Sequence, residues 1–136
     1  MSSQKTEHYQ LHKWEPGDDF LREEFNENFE KLDKATAGKV GAVFGTYTGD
    51  GAATRHIELG FTPRAVYLND SQGYTAFRNY SNERFRGGMA LDGGPLSTGQ
   101  SPILQIEAGG FRVYFDSALN ILTNESGGQF HYWAMA

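Results

Sequence analysis

The stretch GYTAFRNYSNERFRGG, residues 73–88, sets Tyr74, Phe77, Tyr80 and Phe85 among Arg78, Arg84 and Arg86. Flat aromatic rings stack on the apolar faces of sugars, and the planar guanidinium forks onto phosphate or carboxylate. Aromatic residues and arginine are also what binding surfaces enrich. The residues singled out for ligand binding are Tyr74, Arg78, Tyr80, Arg84 and Arg86, and the ligand they suit carries both sugar and phosphate. A competing reading places Phe77 and Phe85 in a core and the arginines at subunit seams.

Other polar groups fall short of a catalytic pattern. Glycoside hydrolysis needs two carboxylates at a fixed separation. Glu107 and Asp116 are available, but no motif flanks them. Ser97, His56 and Asp92 could be assembled into a nucleophilic trio, yet there is no G-x-S-x-G elbow. The run GMALDGGPLSTGQS lacks the Lys-Ser/Thr of a phosphate loop. The turns NDSQG and GDG hold oxygen ligands without the spacing of a calcium loop. His8 and His12 are four apart, a spacing that binds metal on a helix only with a further ligand at a fixed distance. With no cysteine in the chain, thiolate metal sites, disulfides and a cysteine nucleophile are excluded. The expectation is therefore no catalytic residue, no metal, no cofactor and no enzyme.

The scaffold for such a surface is legible in composition. Seventeen glycines in 136 residues is about one in eight, against a usual ~7%, and no G-X-Y period organises them. With 14% aromatics, this points to a turn-rich β protein of one-domain length. A net charge of −5 argues against non-specific nucleic-acid binding. The first twenty residues have no apolar core of a secretory signal, and no apolar run approaches the ~20 residues of a membrane-spanning helix. No nucleic-acid partner and no membrane insertion are expected.

Two regions are expected: a polar leader with a helix over 1–38, and a β domain over 39–136. Met1 to Lys13 reads as a loosely held start. WEPGDDFLREEFNENFEKLDKATAG carries the helix, with Asp18 or Asp19 as N-cap and Gly38 as stop. Its apolar residues Leu21, Phe25, Phe29 and Leu32 form one narrow stripe. That stripe either docks on the β domain or packs on copies of itself as a short trimeric coiled coil. Beyond Gly38 the period changes to two. About eight short strands follow, expected to form an antiparallel β-sandwich or a small barrel. Ala65–Leu68 and Tyr74–Phe77 read as a hairpin across NDSQG, and PILQIEAGGFRVYFD as two strands joined at EAGG. In QFHYWAMA, Phe130, Tyr132 and Ala134 share one face and His131, Trp133 and Met135 the other. Large groups on both faces predict burial on both, with Trp133 in a core or at a subunit contact.

Three stretches carry a resemblance. GTYTGDG followed by RHIELGFTPRAV, the ending GGFRVYFDSALNILTNESGGQFHYWAMA and the leader FLREEFNENFEKLDKA together resemble tail-fibre and receptor-binding (tail-tip) proteins of tailed phages, prophages and phage-tail-like particles of Gram-positive bacteria. The resemblance covers most of the chain from Trp14 onward. Only His131 stands where some fibre tips carry a metal-binding His-x-His pattern. The resemblance implies a non-enzymatic virion-tail component that is made in the bacterial cytoplasm without a signal peptide. Its partners would be other tail proteins and a cell-surface polysaccharide or teichoic acid. The stripe of Leu21, Phe25, Phe29 and Leu32 adds the expectation of a homotrimer, with three helices along one axis. A purely structural tail protein and a cell-wall glycan depolymerase are the alternatives.

Overall fold

The computed structural model describes residues 1–39, 41–79 and 82–136. The chain divides into two compact units, Met1–Val40 and Gly41–Ala136.

In the first unit, strand β1 (Gln4–Lys5) pairs antiparallel with β2 (His12–Lys13), and helix α1 runs Arg22–Ala37. The start is tied down, contrary to the expectation of a loose leader. The tie is Asp18. Its Oδ2 accepts from the Ser3 N–H at 2.9 Å, the Ser3 hydroxyl at 2.8 Å and the Glu15 N–H at 2.8 Å. Asp18 therefore does not cap the helix, and neither does Asp19. The N-cap is Leu21, in extended conformation and without a side-chain bond. Glu23 and Glu24 in the first turn still complement the helix dipole. Leu21, Phe25, Phe29 and Leu32 stay 37–57% exposed. The rings of Trp14, Phe20, Phe25 and Phe29 stand in a row, with successive centroids 4.9, 5.2 and 4.8 Å apart.

His8 and His12 do not share a helix, because both precede α1. The His12 ring is already engaged, with Nδ1 2.6 Å from the Ser2 hydroxyl and Nε2 2.9 Å from Glu27.

The second unit is all β. Its strands are β3 (Ala42–Thr48), β4 (Thr54–Glu58), β5 (Ala65–Asp70), β6 (Ala76–Asn79), β7 (Asn82–Phe85), β8 (Gly88–Leu91), β9 (Leu96–Thr98), β10 (Ser101–Glu107), β11 (Gly110–Tyr114) and β12 (Gln129–Met135). Eight of them form two antiparallel four-stranded sheets, in the orders β3-β12-β5-β8 and β4-β11-β10-β9. Each sheet keeps two edges, so among the described residues neither closes and the small barrel is corrected. Strands β6 and β7 form a separate two-stranded ribbon.

Both sheets feed one core. The first supplies Val66, Leu68, Ala90, Phe130 and Ala134; the second supplies Ile57, Leu104, Phe111 and Val113. Alternation drives this: β5 buries Val66, Leu68 and Asp70 and leaves the residues between them half-covered. Each fully buried large side chain contributes roughly 1.5–3 kcal/mol.

The chain changes sheet at its glycine-rich turns. After β3, the GDG turn passes to β4 in the other sheet, and Gly60–Pro63 passes back to β5. The GDG turn is clamped by Asn124, whose exposure is zero. Its Nδ2 donates to Asp50 Oδ1 at 2.6 Å and to the Ala52 carbonyl at 2.9 Å, while its Oδ1 accepts from the Asp50 N–H at 3.2 Å. Gly49 allows the close approach, since a Cβ there would fall 2.0 Å from the Glu125 carbonyl oxygen. Gly51 adopts φ +77°, which an L side chain rarely takes.

Two pairings differ from expectation. Strand β5 pairs with β12 and β8, while Tyr74–Phe77 leads into the β6–β7 ribbon instead of forming a hairpin with β5. Trp133 is not core. It is 43% exposed and stacks on Phe44 with centroids 5.4 Å apart. The face split of β12 itself holds, with Phe130 and Ala134 at zero exposure. Strands β10 and β11 do meet across EAGG, with Glu107 opposite Gly110. Among the described residues no helix is long and apolar enough to cross a membrane.

Candidate functional site: an open aromatic and arginine cleft

A cleft of about 630 Å³ opens where the end of β5, the β6–β7 ribbon and the start of β12 converge. That volume falls within the ~300–1,000 Å³ common to small-molecule sites. One wall is the turn after β5. Asp70, almost fully buried, accepts on Oδ1 from the Gln72 N–H at 3.0 Å and the Tyr74 N–H at 2.8 Å. This side-chain-closed turn is the local signature of aspartate ahead of glycine. It projects Tyr74, which stays 51% exposed. Phe77 follows on β6 at 47% exposure, with its ring edge-on to Tyr74 at 6.5 Å. The two rings are therefore presented to solvent and not consumed by the core. This departs from the reading that made Phe77 a core residue.

The opposite wall is β7 and the residue after it. Arg84 faces Phe77 across the ribbon and is exposed. Arg86 is half-buried, with Nη2 3.1 Å from Glu125 and Nε 3.9 Å from Asp70. Among the described residues no ion pair engages Arg84. The two arginines thus divide the work: Arg86 holds the turn and the loop before β12 together, and Arg84 offers its charge outward. Gly127, Gly128 and Gln129 form the floor.

Of the remaining sequence candidates, Arg78 lies on β6 opposite Glu83. Tyr80 lies outside the described residues. The cleft also takes in Asp70, legible in the sequence only as a turn residue of NDSQG, and Gln129. The signal for Asp70 was present in LNDSQG, where an aspartate before glycine marks a turn closed by its own side chain.

No protein-family model, curated protein or solved structure matches the chain.

The residues tested for catalysis scatter. Glu107 sits at the β10–β11 hairpin, opposite Gly110. Asp116 comes six residues after Gly110, past the end of β11, so at ~3.4 Å per residue it stands roughly 20 Å from Glu107, well beyond the ~5–9.5 Å of glycosidase pairs. Ser97 and His56 occupy opposite edge strands of one four-stranded sheet and are out of register, Ser97 opposite Pro102 and His56 in line with Gln105, so they lie more than roughly 14 Å apart at ~4.8 Å per strand. Asp92 pairs with Arg64 at 3.7 Å.

His56 instead bridges carboxylates. Its Nδ1 is 2.9 Å from Glu107 and its Nε2 3.2 Å from Glu58. Glu107 is held below the usual carboxylate range, first by the Arg112 guanidinium hydrogen-bonded to it and then by His56. Both ring nitrogens face carboxylates and Arg112 bonds Glu107 in turn, so the cluster is a hydrogen-bonded network on the outer face of the sheet. Among the described residues no three His, Asp or Glu side chains gather to hold a metal ion.

Proposed function

We propose that the chain is a non-enzymatic attachment module of a phage tail fibre, tail tip or phage-tail-like particle, binding a cell-surface glycopolymer of Gram-positive bacteria. The cleft carries this reading. Two half-exposed rings, Tyr74 and Phe77, stand beside an outward arginine, Arg84, in an open groove of ligand size. Aromatic faces take the sugar rings and the guanidinium takes the phosphates of a teichoic-acid-like chain. An open groove suits a long polymer that enters and leaves along its length.

The functional unit in this reading is a homotrimer, with each chain's two sheets as a β-sandwich and three α1 helices along one axis. The exposed stripe of Leu21, Phe25, Phe29 and Leu32 supports it, because a rod with a single apolar stripe is marginal alone. Three weak clefts on one trimer gain avidity without any new contact.

The test is attachment of the labelled chain to a panel of Gram-positive cells and to their isolated walls. Saturable binding that weakens in salt is expected. No binding to any wall leaves a structural tail protein. Soluble sugar or phosphate released from walls, and lost in Glu107→Gln, indicates a depolymerase.

A further inference from the structure

The two sheets have opposite outer faces. On β4-β11-β10 the outward residues are His56, Glu58, Glu107, Arg112, Gln105 and Tyr114, a charged and hydrogen-bonded surface. On the other sheet the register puts Phe44, Trp133, Tyr67 and Met89 side by side in one row across all four strands. The next row is Ala42, Met135, Ala65 and Leu91. The row on the other side begins Thr46, His131, Asn69. None of these outward residues is Asp, Glu, Lys or Arg, in a chain of net charge −5.

Phe44 is 73% exposed, Met89 55%, Leu91 53% and Trp133 43%. At ~150–250 Å² per aromatic side chain, Phe44 and Trp133 alone expose roughly 250 Å². With Met89 and Leu91 the patch reaches roughly 450 Å², the middle of the ~300–600 Å² range for the largest and often functional patch on a monomer.

We infer that this face packs against the same face of a second copy of the chain, about a twofold axis. The area argues for it: two such patches meeting bury roughly 900 Å² of apolar surface, and the uncharged rows beside them carry the total to about 1,200 Å², where stable interfaces begin. Charge argues for the same occupant. Copies at −5 repel, and a contact between identical faces sets like groups near like, which costs least where no group is charged. Depletion of charge with aromatic and methionine enrichment is the composition of an interface centre. The inference adds a twofold sheet contact to the homo-oligomer proposed above, and depends neither on the helix contact nor on the ligand.

Light scattering on the full chain tests it. The parent should show twice the 15.1 kDa of one chain, or six times where the helices also join in threes, and Phe44→Glu with Trp133→Glu should halve that mass while keeping the far-ultraviolet spectrum and a cooperative melt. Met89→Lys, at the far end of the row, should do the same more weakly, and gives a second variant if the double change unfolds. In a Trp14→Phe background, emission of Trp133 should shift to the blue as concentration rises. A variant that keeps the parent's mass overturns the sheet contact, and if Phe25→Ser with Phe29→Ser then dissociates the protein, the helix trimer stands alone. A parent that is a 15.1-kDa monomer overturns both.

Discussion

Arg86 and Arg84 lie two residues apart and should fail in different ways. The Arg86 side chain is 26% exposed and bonds Glu125 at 3.1 Å, and its Nε lies 3.9 Å from Oδ2 of Asp70, whose side chain is only 9% exposed. Truncation to alanine leaves Asp70 Oδ2 without its cation, while Oδ1 keeps two backbone donors. A charge-assisted hydrogen bond is worth ~1.5–3 kcal/mol. The ~3–5 kcal/mol for breaking a buried pair is an upper bound, not reached at this exposure and at 3.9 Å. Arg86→Ala should therefore cost about 2 kcal/mol, lowering Tm by roughly 4–10 °C for a chain of this size. Arg84, exposed, should change stability by less than ~0.5 kcal/mol. Its loss should instead weaken attachment to phosphate-bearing walls about 10- to 100-fold, the equivalent of one charge-assisted bond. Urea unfolding followed by tryptophan emission gives the first number, and wall binding gives the second. Equal stability of the two variants, or a larger loss for Arg84→Ala, would refute this division.

Asn124→Ala should destabilise by about 2–4 kcal/mol, since it orphans buried groups around the GDG turn; a midpoint shift in urea at constant slope checks this. Deleting His131–Ala136 removes most of the strand that lies between β3 and β5 and should abolish soluble, cooperatively melting protein; a truncation that melts like the parent would show the strand to be dispensable. Glu27 is held down at about 2, first by its bond from Lys31 and then by His12. A carboxyl lowered in the folded state contributes stability above its ordinary 4.5 that is lost as pH falls toward 2. Helical ellipticity at 222 nm should therefore decline over that window, and Glu27→Gln should flatten the decline.

Local periodicity made much of this architecture readable. Alternation identified β5, β10, β11 and β12, and the 4-4-3 spacing of Leu21, Phe25, Phe29 and Leu32 identified α1. What escaped was non-local. The partner of β5 is β12, some sixty residues on, and no turn chemistry at NDSQG announces that pairing. The same turn attracted a hairpin assignment because Asp70 closes it with its own side chain. Asp18 suited a cap by type, but backbone donors of Ser3 and Glu15 reach it first. Trp133 suited a core by size. Within one chain, only one face of β12 meets the opposite sheet, so parity places Trp133 outside. At the cleft, the aromatic and arginine content of residues 73–88 was visible, whereas the contributions of Asp70 and Gln129 depend on strand ends far apart in sequence.

Calorimetric titration of purified wall glycopolymer into the full chain tests the attachment reading most directly. The account predicts saturable binding by the parent that weakens in salt and falls at least about tenfold in Tyr74→Ala with Arg84→Ala, at unchanged melting temperature. Binding by that stable variant as tight as the parent's, or no heat from any wall polymer with the parent, would contradict it.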